Sequence, residues 1–447
     1  MRNLYHFTFS NKYLLQITLN SKKIAIVFLS GSAGELDWIL PILDCLLKKH
    51  FGLKIIFLTK HARESVSKNA MLNNYIYQAN DKLKVLDCSG YLSEKLEHFG
   101  YLLFRIYLKL GFGNKLFLHN LLKLHEALFK TFFLLNLPKE VKALRRQKCV
   151  FFSEYPSLRR PRDYWMKKEF PNSIFFYCPH SPHVYAEELD RPYLEADSIS
   201  LDKTSYLLMG HPADYHVLND NKELASSELE KIFIGHPKYS DEWLCNLQEK
   251  SRLFRSSSSS RKDINILVLS RGFGSYLDLD SHNKLVEITV GVIDQKFKNY
   301  NLLVKKHPRE TDSRWDNLLD AYPSIEIIND HILNIATRVD FVVSYWGSGA
   351  MDCCLLGVPV IEFYDPVKHP KQQVPEGDTF TTIYRKLGIV FPANNKEELE
   401  STISQLIDNS FAMPEKPHPY YLDLVERSNS WNIKIEQILQ SHGLIDN

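Results

Sequence analysis

Short runs of hydrophobic residues recur along the chain, and most of them end at a loop rich in glycine, proline or histidine. Apolar runs of this length, bounded by turn-forming residues, are typical of strands that are buried on both faces, as in parallel sheets. Longer segments with helical spacing separate several of them, which predicts β-α-β units. The runs that predict strands lie at 23–30, 53–59, 149–153, 173–178, 206–210, 231–235, 264–270, 301–305, 341–346 and 358–363.

Amphipathic segments predict helices between and after these strands. They lie at 40–49, 95–137, 282–298, 330–338, 350–356, 396–409 and 419–441. The segment 95–137 combines aromatic residues and leucines with lysine and arginine, and Gly111 and Gly113 are expected to divide it into two helices. That composition fits two interpretations. The helices either pack on the sheet or lie on an anionic membrane surface.

A serine-rich segment divides the two sets of strands. Residues 256–260 are five consecutive serines between Arg255 and Arg261, a composition typical of a flexible linker. A chain of 447 residues also exceeds one typical core. We therefore expect an α/β protein with two doubly wound, Rossmann-like domains. The expected parts are a lead-in at 1–21, an N-terminal domain at 22–250, a linker at 251–263, a C-terminal domain at 264–412, and a C-terminal segment at 413–447 whose helix returns to the N-terminal domain.

The stretch 341–365 predicts a strand, a tight turn and the start of a helix in direct succession. The turn is Gly347-Ser348-Gly349, where small residues allow an anion to approach the backbone. The first N–H groups of a helix lack partners within it and carry partial positive charge. We predict that Ser348 and Gly349 bind a phosphate and that Asp352 accepts hydrogen bonds from a ribose. The alternative is an ordinary strand–helix crossover.

A second polar cluster follows the strand predicted at 301–305. Its members are Lys305, Lys306, His307, Pro308, Arg309 and Glu310. Arg309 can bind a phosphate through parallel N–H groups, and a protonated His307 would stabilise a departing phosphate. Because the carboxyl ends of parallel strands share one crevice, Lys306, Arg309 and Glu310 are expected to face the same ligand. A solvated charged turn is the alternative.

A glycine-containing loop follows the first predicted strand of the C-terminal domain. It lacks the third glycine of the dinucleotide-binding fingerprint, so that class of site is not predicted. We expect Arg271, Gly272, Gly274 and Ser275 to form a looser loop that contacts a phosphate or a base.

The first predicted strand of the chain ends in a loop at 31–37. Glu35 in this loop has two possible roles, a general base that deprotonates a hydroxyl and a favourable negative charge in the first helical turn. His180 and His183 follow the strand predicted at 173–178 and are acid–base or binding candidates, or simply members of a proline-fixed turn.

Charge and cysteine content narrow the function classes. A net charge of +2 argues against general nucleic-acid binding. Residues 139–168 are nevertheless basic, and together with 95–137 they keep an anionic membrane surface as a possible partner for 95–168. The seven cysteines show no metal-ligand spacing and suit a reducing compartment. No secretory leader or membrane span is recognised, so we expect a cytoplasmic protein, with the inner face of the plasma membrane as an alternative location.

The C-terminal half carries a family resemblance. Lys-His-Pro at 306–308, Asp-Phe-Val-Val-Ser-Tyr-Trp-Gly-Ser-Gly-Ala-Met-Asp at 340–352 and Leu-Leu-Gly-Val-Pro-Val-Ile-Glu-Phe at 355–363 resemble the donor half of GT-B glycosyltransferases and their relatives. These relatives include bacterial surface-glycan transferases, CDP-glycerol glycerophosphotransferases and UDP-N-acetylglucosamine 2-epimerases. Ser-Ala-Gly-Glu at 32–35 differs from the Arg-Pro-Glu that is usual in the epimerases. The resemblance implies two Rossmann-like domains that face a central cleft.

The resemblance also implies roles for individual residues. His307 would act at the donor phosphate, Ser348 and Gly349 would bind it, Asp352 would contact the ribose, and Glu35 would be the catalytic base. An acceptor would bind near Gly31, Ser32, Gly34 and Asp37.

The implied activity is glycosyl transfer in surface polysaccharide or glycolipid biosynthesis. A UDP-, CMP- or CDP-linked sugar would be the donor, and a glycan or lipid-linked molecule the acceptor, with no tightly bound cofactor or metal. The alternatives are an epimerase-like isomerase, a CDP-glycerol-type phosphotransferase and an inactive nucleotide-sugar-binding partner.

Overall fold

A computed structural model describes most of the chain. The described residues are 23–78, 82–88, 130–131, 133–134, 137–154, 162–179, 200–214, 229–253, 264–273, 277–307, 314–368, 375–376 and 379–446, with the single positions 123, 127, 189 and 310.

Parallel strands form the centre of the N-terminal half. They are β1 (Ile24–Leu29), β2 (Gly52–Phe57), β3 (Leu83–Asp87), β4 (Cys149–Glu154), β5 (Ile174–Cys178), β6 (Ser205–Met209) and β7 (Glu230–Phe233). In the described part of the chain these seven strands make one sheet in the order β3-β2-β1-β4-β5-β6-β7. Every neighbouring pair is parallel, so all carboxyl ends lie at one edge.

The C-terminal half contains a second sheet. Its strands, with a short ribbon, are β8 (Ile264–Leu269), β9 (Tyr300–Lys305), β10 (Ile325–Ile327), β11 (Phe341–Ser344), β12 (Val360–Phe363), β13 (Pro375–Glu376), β14 (Thr379–Phe380) and β15 (Phe391–Ala393). Among the described residues the sheet has six parallel strands in the order β10-β9-β8-β11-β12-β15, and β13 pairs with β14 in an antiparallel ribbon.

Helices accompany both sheets. They are α1 (Ala33–Lys48), α2 (Lys60–Ser67), α3 (Ala70–Gln78), α4 (Lys139–Lys142), α5 (Arg162–Glu169), α6 (Asp241–Leu253), α7 (Leu279–Lys296), α8 (Arg314–Leu318), α9 (Ile332–Ala336), α10 (Gly349–Leu355), α11 (Ile383–Lys386), α12 (Lys396–Asp408), α13 (Pro419–Ser428) and α14 (Trp431–Ser441). Short 3₁₀ turns occur at Ala143–Arg146 and Pro237–Tyr239.

Both faces of the N-terminal sheet are buried, which explains its uninterrupted hydrophobic strands. Alternate residues of β1 enter two different cores, because successive side chains of a strand point to opposite faces. Ile26 and Phe28 pack in the core that contains Phe151. Val27 belongs to a second core that continues into the C-terminal half and includes Val342.

The C-terminal segment packs on the N-terminal half, as expected. It forms two helices rather than the single helix predicted at 419–441, because the chain turns at Asn429 between α13 and α14. The Asn429 side chain accepts a hydrogen bond from the backbone of Asp241 and donates one to its carboxylate, at 2.7 and 3.0 Å. Lys434 donates to the Phe233 carbonyl at 2.6 Å. The two parallel sheets and the returning C-terminal segment confirm the predicted α/β fold class.

The sequence pattern missed the outer strands β3, β10 and β15. In β3 only Leu83 is buried, and β10 and β15 have three residues each, so their hydrophobic signal is weak. Helix α6 extends to Leu253, three residues into the segment expected to be a linker. The rest of that linker and most of the helical pair predicted at 95–137 lie outside the described residues. Where the structure describes the chain, no helix has the length and hydrophobicity that a bilayer crossing requires.

Candidate functional site

Loops at the carboxyl ends of three adjacent strands meet at one edge of the C-terminal sheet. The strands are β9, β8 and β11, in that spatial order. Arg271 follows β8, His307 follows β9, and Ser348 follows β11. His307 and Arg271 are partly exposed and Ser348 is exposed, so none of the three is buried. The edge is the ligand edge of an open α/β sheet.

Arg271 joins the loop after β8 to the loop after β11. Its guanidinium donates to the Trp346 carbonyl at 3.0 Å and lies 4.6 Å from the centre of the Trp346 ring. Trp346 has a φ of 68°, a backbone conformation that is rare and strained for a bulky residue. Its ring stacks on Tyr364 at 5.8 Å. The cation–π contact and the stack hold this strained turn at the crevice.

The predicted phosphate turn has the expected backbone. Helix α10 begins at Gly349, and Gly357, with a φ of +72°, follows its last turn as predicted. A Cβ at position 349 would lie 2.5 Å from the end of the Ile332 side chain, which would have to move to admit any other residue. Ser348 makes no capping hydrogen bond to the helix through its hydroxyl.

The lysines at the end of β9 form contacts with other groups of the protein. Lys306 forms an ion pair with Asp316 at 2.6 Å, and Lys305 donates to the Asp330 carbonyl at 2.6 Å. Burial lowers the pKa of Lys305, against the attraction of Asp330. The Glu310 side chain is fully buried, so its carboxylate does not face a ligand directly, contrary to the sequence-based expectation.

Glu35 holds the segment predicted as a loop at 31–37, which in the structure is the turn after β1 and the first residues of helix α1. The Glu35 carboxylate accepts hydrogen bonds from the backbone N–H groups of Ser30 and Gly31 at 2.8 and 2.5 Å, and Glu35 is only 5% exposed. Ser32 caps helix α1. This geometry supports a loop-fixing role for Glu35, and its role as a base remains a prediction. Glu154, at the end of β4, reaches the same loop, since its carboxylate lies 3.8 Å from where a Gly31 Cβ would stand.

Asp37 connects the two halves. Its carboxylate lies 2.7 Å from Nε2 of His331 and 3.1 Å from Nζ of Lys238. The other ring nitrogen of His331 accepts from the Leu333 N–H, so Nε2 carries the proton and donates to Asp37. Burial would raise the pKa of Asp37, but the contact with His331 and the charge of Lys238 outweigh it and hold the pKa well below its usual value.

Lys238 also reaches Asp352, the residue expected to contact a ribose. Nζ of Lys238 lies 2.9 Å from the Asp352 carboxylate, and Asp352 is buried. Burial opposes the charge on Lys238, yet the neighbouring Asp352 and Asp37 raise its pKa well above the usual value. A charged network thus crosses the cleft between the predicted acceptor loop and the predicted phosphate turn.

Sequence reasoning missed Lys238 and His331. The available signal was the tripeptide Gly-His-Pro, which occurs at 210–212 and at 235–237, shortly after strands β6 and β7. Lys238 follows the second copy directly. Its histidine, His236, is buried and accepts a hydrogen bond from the Trp38 indole at 2.5 Å.

Several predicted site residues lie outside the described residues. They are His180, His183, Gly274, Ser275 and Arg309. Among the residues that are described, no group of three or more His, Cys, Asp and Glu side chains is arranged to hold a metal ion.

Solved structures with similar folds identify the architecture. UDP-GlcNAc 2-epimerase from Methanocaldococcus jannaschii matches 93% of this chain and 99% of its own, with a TM-score of 0.52 and 15% identity. UDP-GlcNAc 2-epimerase from Neisseria meningitidis bound to UDP-GlcNAc matches 94% and 100%, with a TM-score of 0.51 and 13% identity. The chain has the GT-B fold.

A variant of the wall teichoic acid polymerase TagF is also similar. It matches 95% of this chain and 89% of its own, with a TM-score of 0.52 and 10% identity. No protein-family model matches the chain, and no curated protein matches its sequence. The structural similarities establish the GT-B fold. At these low sequence identities the reaction has to be inferred from the site.

Proposed function

We propose that this GT-B protein is a nucleotide-sugar-dependent glycosyltransferase of surface polysaccharide or glycolipid biosynthesis. The proposal rests on the loops that carry Arg271, His307 and Ser348, which follow adjacent strands at one edge of the C-terminal sheet. A fixed cation, a histidine and a hydroxyl suit the phosphates of a UDP-, CMP- or CDP-linked sugar. Similarity to nucleotide-sugar enzymes of the same fold supports the donor class.

In this mechanism the C-terminal half binds the donor. Arg271 and Lys306 neutralise the phosphates, and His307 stabilises the charge that develops on the departing nucleotide phosphate. Ser348 donates a hydrogen bond to the same group. The ribose contact predicted for Asp352 requires Asp352 to exchange its pair with Lys238 for the ribose hydroxyls.

The acceptor binds the N-terminal half, beside Gly31, Ser32, Gly34 and Asp37. A carboxylate at this loop takes the proton of the attacking hydroxyl. Glu35 is the predicted base. Glu154 is a second candidate, since its carboxylate lies 3.8 Å from where a Gly31 Cβ would stand.

A ligand screen tests the donor site. UDP, CDP, CMP and GDP, each with matching sugar nucleotides, are added while thermal unfolding is followed. A ligand at a hundred times its dissociation constant is expected to add about 2.7 kcal/mol of apparent stability. His307→Ala is expected to reduce the shift, whereas His61→Ala, which changes an exposed histidine on α2, is the matched control. No shift with any nucleotide would contradict the proposal.

An isomerase is the second candidate, because two of the similar structures are UDP-GlcNAc 2-epimerases. Incubation with UDP-N-acetylglucosamine and no acceptor separates the two reactions. Formation of the epimer would identify the isomerase, whereas transfer only after an acceptor is added would identify the transferase.

A CDP-glycerol-type phosphotransferase would instead release CMP from CDP-glycerol. Full pathway activity of both Glu35→Gln and His307→Ala would indicate an inactive sugar-nucleotide-binding partner.

The basic segment 95–168 is proposed to contact an anionic membrane surface that carries the acceptor. Its excess of lysine and arginine beside aromatic residues supports this, although much of it lies outside the described residues. The protein is expected to sediment with vesicles that contain phosphatidylserine at low salt, and less so at high salt. Failure to sediment at low salt would remove the membrane from the proposal.

A further inference from the structure

A buried pair lies beneath the crevice loops of the C-terminal half. His282, on helix α7, and Glu310, after β9, both have side chains that are 0% exposed. Nε2 of His282 lies 3.5 Å from the Glu310 carboxylate. Neither side chain can touch a ligand in this position, so any influence on the site passes through the residues that the pair contacts.

The pair holds the backbone of two crevice loops. Nδ1 of His282 lies 3.0 Å from the Arg271 carbonyl, and since a carbonyl only accepts, Nδ1 donates. The Glu310 carboxylate accepts from the Ser270 hydroxyl at 3.2 Å and from the His307 N–H at 3.4 Å. The loop after β8 and the loop after β9 are therefore joined through one histidine and one carboxylate.

The surroundings leave the pair little freedom. The Trp315 indole donates to the Ser270 hydroxyl at 3.0 Å. The Tyr345 ring meets the His282 ring edge-on at 6.4 Å, and its hydroxyl is fixed by Thr289 at 2.8 Å. A Cβ at Gly272 would lie 2.9 Å from that of Glu310, so the two loops are in direct contact.

We propose that His282 and Glu310 are positioning residues, which set the distance between Arg271 and His307 and thereby the geometry of the phosphate pocket. The inference rests on the proposed donor site in these loops. A phosphate pocket depends on groups held within a fraction of an ångström, and buried hydrogen bonds of this kind supply that restraint.

The two ring nitrogens of His282 can be tested separately. In His282→Asn the amide nitrogen occupies the place of Nδ1 and keeps the bond to the Arg271 carbonyl. In His282→Gln the amide occupies the place of Nε2 and keeps the contact with Glu310. Glu310→Gln retains the shape of the carboxylate and is the conservative counterpart of Glu310→Ala.

The matched control is His211→Asn. His211 is a fully buried histidine that also faces a carboxylate, that of Asp423, but it lies in the N-terminal half. This variant is expected to change global stability without changing the loops that contain Arg271 and His307.

Hydrogen–deuterium exchange and pyrophosphate titration are the two measurements. His282→Ala and Glu310→Ala are expected to speed exchange in peptides that contain Arg271 and His307 while strand β12 stays protected. They are also expected to weaken pyrophosphate binding about tenfold, the effect of losing roughly one net hydrogen bond. His282→Asn should protect only the Arg271 peptide, and Glu310→Gln should restore both peptides.

The outcomes separate this inference from the proposed function. Unchanged exchange in both loops of the alanine variants, or equal changes throughout the chain, would overturn the positioning role. Faster loop exchange with unaltered pyrophosphate affinity would overturn it as well. If the wild type binds neither pyrophosphate nor any nucleotide, the proposed donor site fails. Local loop exchange that changes in the variants would then still support the structural link between the two loops.

Discussion

Gly235 shows how one residue can fix the contact between distant parts of this chain. Its φ is +71°, in the left-handed region that favours glycine, and it lies two residues after the end of strand β7. A Cβ at this position would overlap the backbone nitrogen of Ser428 and lie 2.6 Å from its Cα. The absence of a side chain therefore lets helix α13 lie directly against the end of the sheet.

Gly235→Ala is expected to lower the free energy of unfolding by more than the backbone penalty alone. Gly357 is the matched control, because its φ is +72° and nothing lies within 4 Å of a Cβ added there. Gly357→Ala should cost about 1–2 kcal/mol, the usual cost of a left-handed alanine. Urea unfolding of both variants measures the difference. Equal losses would show that Ser428 moves aside freely.

Carboxylates illustrate the limit of residue-level reasoning. Glu35 and Asp352 were both predicted to face ligands, on the basis of loop position. In the structure the Glu35 carboxylate binds the backbone of Ser30 and Gly31, and Asp352 pairs with Lys238 from the other half. The ligand contacts of both residues remain predictions. A loop sequence identifies a carboxylate near a crevice, but the group that pairs with it depends on which other segments of the chain pack beside the loop.

At the scale of elements, the two C-terminal helices dock on the ends of strands β6 and β7. The Gly-His-Pro repeat provides the docking groups. His211 faces Asp423 at 2.7 Å, and the His236 N–H donates to the Ser428 hydroxyl at 2.9 Å. Asp214 accepts from the Tyr420 hydroxyl at 2.8 Å. The histidines of the two Gly-His-Pro tripeptides therefore help to attach helix α13 to the N-terminal half.

Asp214 and His211, at the contact between helix α13 and the N-terminal half, predict two opposite effects of pH on the free energy of unfolding. Burial raises the pKa of Asp214 to about 6, so the folded state binds this proton more tightly. The contribution of Asp214 to stability therefore falls as pH rises from about 4 to about 6. Burial lowers the pKa of His211 to about 4, so the folded state resists protonation, and its contribution rises with pH over the range from about 4 to 6.5.

Urea unfolding at pH 4, 5, 6 and 7 separates the two effects. Relative to wild type, Asp214→Asn should gain stability as pH rises from 4 to 6, and His211→Gln should lose it, because each variant removes one contribution. Each buried group serves as the control for the other. Parallel pH profiles for the wild type and both variants would contradict the assignment of these shifts to the dock.

At the scale of the whole molecule, a charged network holds the two halves in their present arrangement. Asp37 and Lys238 come from the N-terminal half, whereas His331 and Asp352 come from the C-terminal half. All four lie largely out of solvent, where removing one partner leaves an unpaired charge.

Lys238→Met is expected to cost roughly 3 kcal/mol of unfolding free energy, because Asp352 loses its cation. A double-mutant cycle with Asp352→Leu should show strong coupling, and small-angle scattering should show a larger radius of gyration for the single variants. The exposed pair Lys60–Glu64 is the control, with an expected coupling below about 0.5 kcal/mol. Additive effects at Lys238 and Asp352 would show that the network does not join the halves.

Much of the site was accessible from the sequence. The loops at 271–273, 306–307 and 347–349 were each predicted to follow a strand, and parallel topology then places them at one edge. The buried residues His282 and Trp315 could not be recognised in this way, because they lie on helices. A single histidine or tryptophan on an amphipathic helix is indistinguishable in the sequence from an ordinary core residue. Their role appears only from the atoms that they contact.

The sequence by itself determined most of the strands, the loops that follow them, the two-half α/β architecture and the return of the C-terminal segment. Hydrophobic periodicity is a local property of the sequence. A strand that is buried on both faces of a parallel sheet therefore appears in the sequence as a continuous hydrophobic run. Only the tertiary structure decided which charges meet. Asp37 lies 294 residues from His331 and 201 residues from Lys238. Such pairs depend on how two separately wound sheets pack, and the energy of a charge depends on the solvent and partners that packing leaves around it.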